Sequence, residues 1–112
     1  MFRTLFAPSR VPSISPAKAK ARLDSGEAIE LIDVRTAEEY THGHIPGSML
    51  LPLNLLSVLA HERLPDRDAT IFVYCQSGGR SAQAARLLDG MGYTQVHDLG
   101  GIASWPYGVT RD

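Results

Sequence analysis

At 112 residues, with 44% hydrophobic and 21% charged residues, the chain has the size and balance of one folded domain with a buried core, and a division into two domains would leave each half too small. Eleven Lys and Arg against twelve Asp and Glu leave a net charge of −1, which excludes the long-range field that draws in nucleic acid or an acidic membrane. The single cysteine, Cys75, excludes an internal disulfide and a multi-cysteine metal site and suits a reducing, cytoplasmic setting.

The first 22 residues carry Arg3, Arg10, Lys18, Lys20 and Arg22 without an acid, a bias shared with transit peptides, but signals of a folded domain already begin by Ser15. Residues 1–13 show no period and contain Pro8 and Pro12, so an irregular arm is expected there, ahead of a domain spanning 14–112. Ser15-Pro16 predicts a helix start, followed by helix formers from Ala17 to Leu23 and an end near Gly26. The run Leu31-Ile32-Asp33-Val34 predicts a buried strand, with Arg35 where it ends. Thr36-Ala37-Glu38-Glu39 is a capping box that should open a short helix running to about His42.

Gly43 and Pro46-Gly47 break the chain, and residues 48–52 carry Met49, Leu50 and Leu51, enough for a short strand. The richest apolar stretch, 49–60, is interrupted by Pro52, Asn54 and Ser57 and falls short of the roughly 18–20 residues of a membrane span. Leu55, Leu56, Leu59 and Ala60 recur at helical spacing up to Leu64-Pro65. Thr70-Ile71-Phe72-Val73-Tyr74 is β-branched and aromatic throughout, the clearest strand in the chain. It leads into Cys75 and then a helix in which Ala84, Leu87, Leu88 and Met91 share one face. A last strand at 95–99, then Gly100-Gly101 and a segment with Trp105, complete the order. Such alternation predicts an α/β domain with a parallel sheet covered on both faces, whose ligands bind beyond the carboxyl ends of the strands. Cys75 sits at such an end.

An ordinary thiol, with a pKa of about 8.5, is only a few per cent thiolate at neutral pH. A strand–loop–helix turn can change that, because the amides of residues 76–80 can converge on the sulfur while the positive end of the next helix faces it. Gly78 and Gly79 tolerate the tight backbone such a ring requires, and Arg80 adds a fixed positive charge suited to an oxyanion. A lone cysteine after an apolar strand is ordinarily an inert small hydrophobe, and Cys-x4-Arg alone is a weak signal. The strand before it, the two glycines within it and the amphipathic helix after it favour a nucleophile.

Five segments taken together, Leu31-Ile32-Asp33-Val34-Arg35, Glu39-Tyr40, residues 43–48 (Gly-His-Ile-Pro-Gly-Ser), residues 74–81 (Tyr-Cys-Gln-Ser-Gly-Gly-Arg-Ser) and Leu99-Gly100-Gly101-Ile102 with Trp105, resemble the rhodanese family in the same order, from about residue 14 to 105. The resemblance implies a three-layer α/β fold with a five-stranded parallel sheet flanked by helices. It implies a thiosulfate sulfurtransferase in which Cys75 carries a persulfide, with cyanide or a thiol as acceptor and no metal or organic cofactor. Cys75 and Arg80 become the catalytic candidates, and Gln76, Ser77, Gly78, Gly79 and Ser81 an anion-binding loop. The phosphatases of similar arrangement use a Cys-x5-Arg loop; the four residues between Cys75 and Arg80 make a tighter ring, suited to a sulfur atom. A sulfur-carrier or docking module without turnover is the alternative, with a sulfur-acceptor protein as its partner.

Asp33 and Arg35 read as an ion pair or hydrogen bond fixing neighbouring loops, with Arg35 the better candidate for a supporting role at the site. His42 and His44 lack an evident third metal ligand, and His44 is expected to brace the turn at residues 45–47. Trp105 reads as a core anchor, and His61 and His97 as surface or satisfied residues.

Overall fold

The computed structural model describes residues 11–112; most of the arm expected over 1–13 lies outside the described residues. Ser15 accepts a hydrogen bond from Lys18 N and opens α1 (Pro16–Asp24), with Pro16 at the position where a missing N–H costs nothing. β1 (Ile29–Asp33) follows, then α2 (Ala37–His42), whose capping box is complete: Thr36 Oγ1 accepts from Glu39 N, and the Glu39 carboxylate accepts from Thr36 N. β2 (Met49–Leu50), a single 3₁₀ turn over Leu53–Leu55 and α3 (Leu56–Arg63) lead to β3 (Thr70–Cys75). α4 (Gly79–Gly90), β4 (Gln95–Gly101) and a last 3₁₀ turn over Ile102–Ser104 complete the chain order.

The sheet is parallel throughout, in the order β2-β1-β3-β4. It has four strands where the family resemblance implies five. The fifth position is taken by a single parallel bridge, Ser13 to Asp98, in which Asp98 N donates to Pro12 O and Ile14 N to Asp98 O. Pro12 has no N–H to extend the ladder, and Ser15 is already committed to capping α1, so no room remains for a longer strand.

Alternation along β3 divides the core. Ile71, Val73 and Cys75 face the cluster that includes Leu56, Ala60, Ala84 and Leu88 of α3 and α4. Phe72 and Tyr74 face the other cluster, with Ala19 of α1, Leu31, Ile45 and Leu99. All five β3 side chains from Ile71 to Cys75 are buried, and burying each large apolar one stabilises the fold by roughly 1.5–3 kcal/mol. The period of two thus decides where the thiol points: toward α3 and α4, at the carboxyl edge, in front of the first turn of α4.

Candidate active site

β3 delivers Cys75 to the sheet edge, and the chain turns at once into α4. The turn depends on Gly78, whose φ of +111° lies in the left-handed region and whose carbonyl accepts from Ala82 N to start the helix. This conformation aims Gly78 N–H at Cys75 Sγ, 3.0 Å away. Cys75 is 1% exposed. Burial pushes the thiol up, but the Ser81 amide, the Ser81 hydroxyl and the amides of Gly78 and Ser77 outweigh it, so the thiol lies below its ordinary value. The amides that act on the sulfur are those of residues 77, 78 and 81, where the sequence places them at 76–80.

The loop is braced from three sides. From β1, Asp33 and Arg35 form a buried pair, 0% and 4% exposed, joined at 2.7 Å between carboxylate and guanidinium. Arg35 also donates through Nη1 to Gln76 Oε1 at 3.2 Å and through Nη2 to the Gly43 carbonyl at 2.7 Å. It ties the Cys75 loop to the end of α2. From β4, Gly101 lies so close to the loop that a Cβ there would meet Gln76 O at 2.5 Å and Ser77 Cα at 2.7 Å. The Gln76 carbonyl in turn accepts from Ala103 N.

The third brace comes from α2. Arg80 points toward the rim of the site and makes a bidentate pair with Glu39, at 2.7 and 2.9 Å. That bond, against a smaller opposing effect of burial, holds the Glu39 carboxyl down at about 2. The Cys75 sulfur and Asp33 also lie within electrostatic reach of Arg80. A groove of about 710 Å³ opens beside Arg80, between the Leu53–Leu55 turn and α4, with Val34, Asn54, Gln83 and Arg86 among its lining residues.

Several residues matter in ways sequence reasoning did not assign. Glu39 announces itself as a capping-box residue, yet its second partner, Arg80, lies 41 residues away. Asp98 accepts the Ser81 hydroxyl at 2.8 Å; its only sequence signal is an acid just before Leu99-Gly100-Gly101. The turn at residues 45–48 is held by hydroxyls: Ile45 N donates to Tyr74 Oη, Ser48 Oγ lies 3.0 Å from the same oxygen, and Tyr40 Oη donates to Ser48 O. His44 contributes by stacking on Tyr40, centroids 3.7 Å apart, with Nδ1 2.8 Å from Tyr40 O. His42 Nδ1 likewise meets a carbonyl, that of Glu38. His61 meets Arg67, whereas His97, edge-on to Phe72, keeps a buried Nδ1 with no hydrogen-bond partner among the described residues. Trp105 lies at the margin of the α1-side cluster and donates to Gly108 O.

Residues 15–106 match the family model described as the rhodanese-like domain, and the chain belongs to that family. It is 38% identical over 96 residues to a protein of Allochromatium vinosum named sulfurtransferase, covering 85% of this chain and 88% of that one. It is also 38% identical over 98 residues to YrkF of Bacillus subtilis, named as a candidate sulfur carrier, covering 87% of this chain but only 52% of the relative's length. Among solved structures, a rhodanese with anions from Escherichia coli superposes with a TM-score of 0.71 at 34% identity, over 76% of this chain and 100% of that one. Among the described residues, no helix is long and apolar enough to cross a membrane.

Proposed function

We propose that the chain is a sulfurtransferase that moves a sulfane sulfur from thiosulfate, or from a persulfide donor, to cyanide or a thiol through a persulfide on Cys75. The observation that carries this reading is the buried Cys75 sulfur receiving the Gly78 N–H at 3.0 Å in a loop whose amides favour an anion. The Cys75 thiolate attacks the outer sulfur of the donor, the S–S bond of thiosulfate breaks, and sulfite leaves with the bonding pair. The same amides then face an anionic persulfide, stabilising charge where it develops without reorganising. An acceptor nucleophile takes the outer sulfur and returns Cys75 as thiolate. Arg80 orients the donor oxyanion at the rim, and the groove beside it gives room for an acceptor larger than an inorganic anion. A cysteine that must cycle through the thiolate suits the cytoplasm.

The sulfur-carrier name of the Bacillus subtilis relative favours a second reading, a carrier or docking module that hands its persulfide to a partner protein. Thiocyanate formation from thiosulfate and cyanide separates the two. Sustained turnover, absent from Cys75→Ser, is the expected result. A single stoichiometric burst with no further turnover would replace the enzyme with the carrier.

A further inference from the structure

The Ser81 hydroxyl has one proton and more than one claimant. Ser81 is 0% exposed, in the first turn of α4. Its Oγ lies 2.8 Å from Asp98 Oδ1 and 3.1 Å from the carbonyl of Gly78, the residue whose N–H meets the Cys75 sulfur at 3.0 Å, and the hydroxyl is among the groups that lower the thiol. A hydroxyl carries one proton, so a bond to sulfur is made at the expense of those to Asp98 and Gly78. The Asp98 bond is charge-assisted and therefore the strongest competitor while sulfur keeps its own proton.

Asp98 is held firmly in this place. The β3–β4 register shifts just beyond it: Val73 pairs with Asp98, but Tyr74 pairs with Gly100. Gly100, at φ +89°, turns its N–H back onto Asp98 Oδ1 at 2.9 Å. The backbone of Asp98 is pinned on the other side by Pro12 and Ile14. The irregularity at the end of β4 thus presents a carboxylate to the α4 hydroxyl beside the Cys75 loop.

We propose that Asp98 is a positioning residue of the site, which competes with the Cys75 sulfur for the Ser81 hydroxyl proton and so restrains the thiolate. With Cys75 protonated, Ser81 O–H donates to Asp98. When Cys75 ionises, the hydroxyl turns about its C–O bond to donate to sulfur, and Asp98 keeps only the Gly100 N–H. No proton changes owner in this step; only the rotor turns. Ser81 therefore contributes to the thiolate the difference between two charge-assisted bonds, not the whole of one. Once Cys75 carries a second sulfur, Sγ is no longer the anion and the hydroxyl returns to Asp98. On the sulfur-transfer reading, on which this consequence rests, Asp98 thereby favours the loaded form over the free thiolate.

The test is a titration of Cys75 by thiolate absorbance and alkylation rate in the wild type, Asp98→Asn, Ser81→Ala and the double variant. Asn keeps an oxygen for the Gly100 N–H while removing the charge. The other charged groups around the sulfur stay in place in every variant: Arg80 from α4, Asp33 and Arg35 at the end of β1, and Glu39 from α2. Asp98→Asn is expected to lower the Cys75 pKa by about half to one unit, about 3- to 10-fold more thiolate at a pH below it. In the Ser81→Ala background that shift should shrink to less than half. An unchanged or raised pKa in Asp98→Asn, as a merely structural role would give, overturns the proposal. So does an equal shift in both backgrounds, which would mean that Asp98 acts by field alone. Should Asp98→Asn not fold, Ser81→Ala alone decides: a rise of less than about one unit supports competition, and a larger rise shows a hydroxyl already committed to sulfur. The titration needs no turnover, so its failure leaves sulfur transfer standing, and the failure of sulfur transfer leaves the titration readable.

Discussion

The loop after β3 and the loop after β1 end side by side at the carboxyl edge of the sheet, yet they are held by different means. The first meets the Cys75 sulfur mainly with backbone: the amides of Ser77, Gly78 and Ser81 act on Cys75 Sγ, and the Ser81 hydroxyl joins them. The second is built from side chains, with Asp33 and Arg35 locked together and Arg35 reaching across to Gln76 and Gly43. Backbone donors survive every substitution but proline and keep their aim as long as the fold holds. Side-chain braces can be removed one at a time, and a buried charge left behind is costly. The chemistry is thus placed on the robust element and its support on the fragile one.

Four substitutions test this contrast, from the largest effect down. Cys75→Ser should abolish sulfur transfer while leaving the melting temperature nearly unchanged, since the hydroxyl still accepts the Gly78 N–H; thiocyanate formation and thermal unfolding read the two halves. Asp33→Ala should do the reverse in kind, destabilising the fold by about 3–5 kcal/mol in urea unfolding because it strands the Arg35 guanidinium at 4% exposure. A loss below about 1 kcal/mol would show the pair to be dispensable.

Gly101→Ala acts between the two loops. The new methyl would press on Gln76 O and Ser77 Cα, so the cradle must shift, and activity should fall by about 10- to 100-fold, the scale of a small misplacement of reacting groups. Stability should fall less, by about 1–3 kcal/mol. Activity retained within twofold would mean that the loop yields without cost to aim.

The smallest effect belongs to the rim. Glu39 titrates at about 2 beside Arg80, against an ordinary 4.5, so its contribution to stability is fully present above the ordinary value and is lost as pH falls from there through about 2. Both side chains are about a third exposed, so Glu39→Gln should change stability near neutrality by less than about 1 kcal/mol. It should flatten the acid limb of the stability curve. An acid limb identical to that of the wild type would dissolve the pair's role.

Much of this arrangement is legible in the residues because it is local. Ser15-Pro16, the Thr36–Glu39 box and the Thr70–Tyr74 strand each satisfy their own backbone, and alternation along β3 then dictates the face on which Cys75 emerges. The parts that escape are tertiary. The Arg80–Glu39 pair spans 41 residues and the Ser81–Asp98 bond 17, separations at which no spacing rule operates. The proximity of Gly101 to the loop follows from the register shift in β4, which a run of apolar and glycine residues does not announce. The fifth strand expected from the family shrinks to one bridge because Pro12 and the Ser15 cap claim its residues. Arg80 reads from its charge as an anion ligand, and the structure adds a carboxylate partner, Glu39, at 2.7 Å.

The most direct test of the central claim is the intact mass of the protein after brief exposure to thiosulfate or a persulfide donor, with Cys75→Ser alongside and a cyanide chase. The expected result is a gain of about 32 Da, one sulfur atom, that is absent from the variant and removed by cyanide. No gain with either donor, or the same gain in Cys75→Ser, would contradict it.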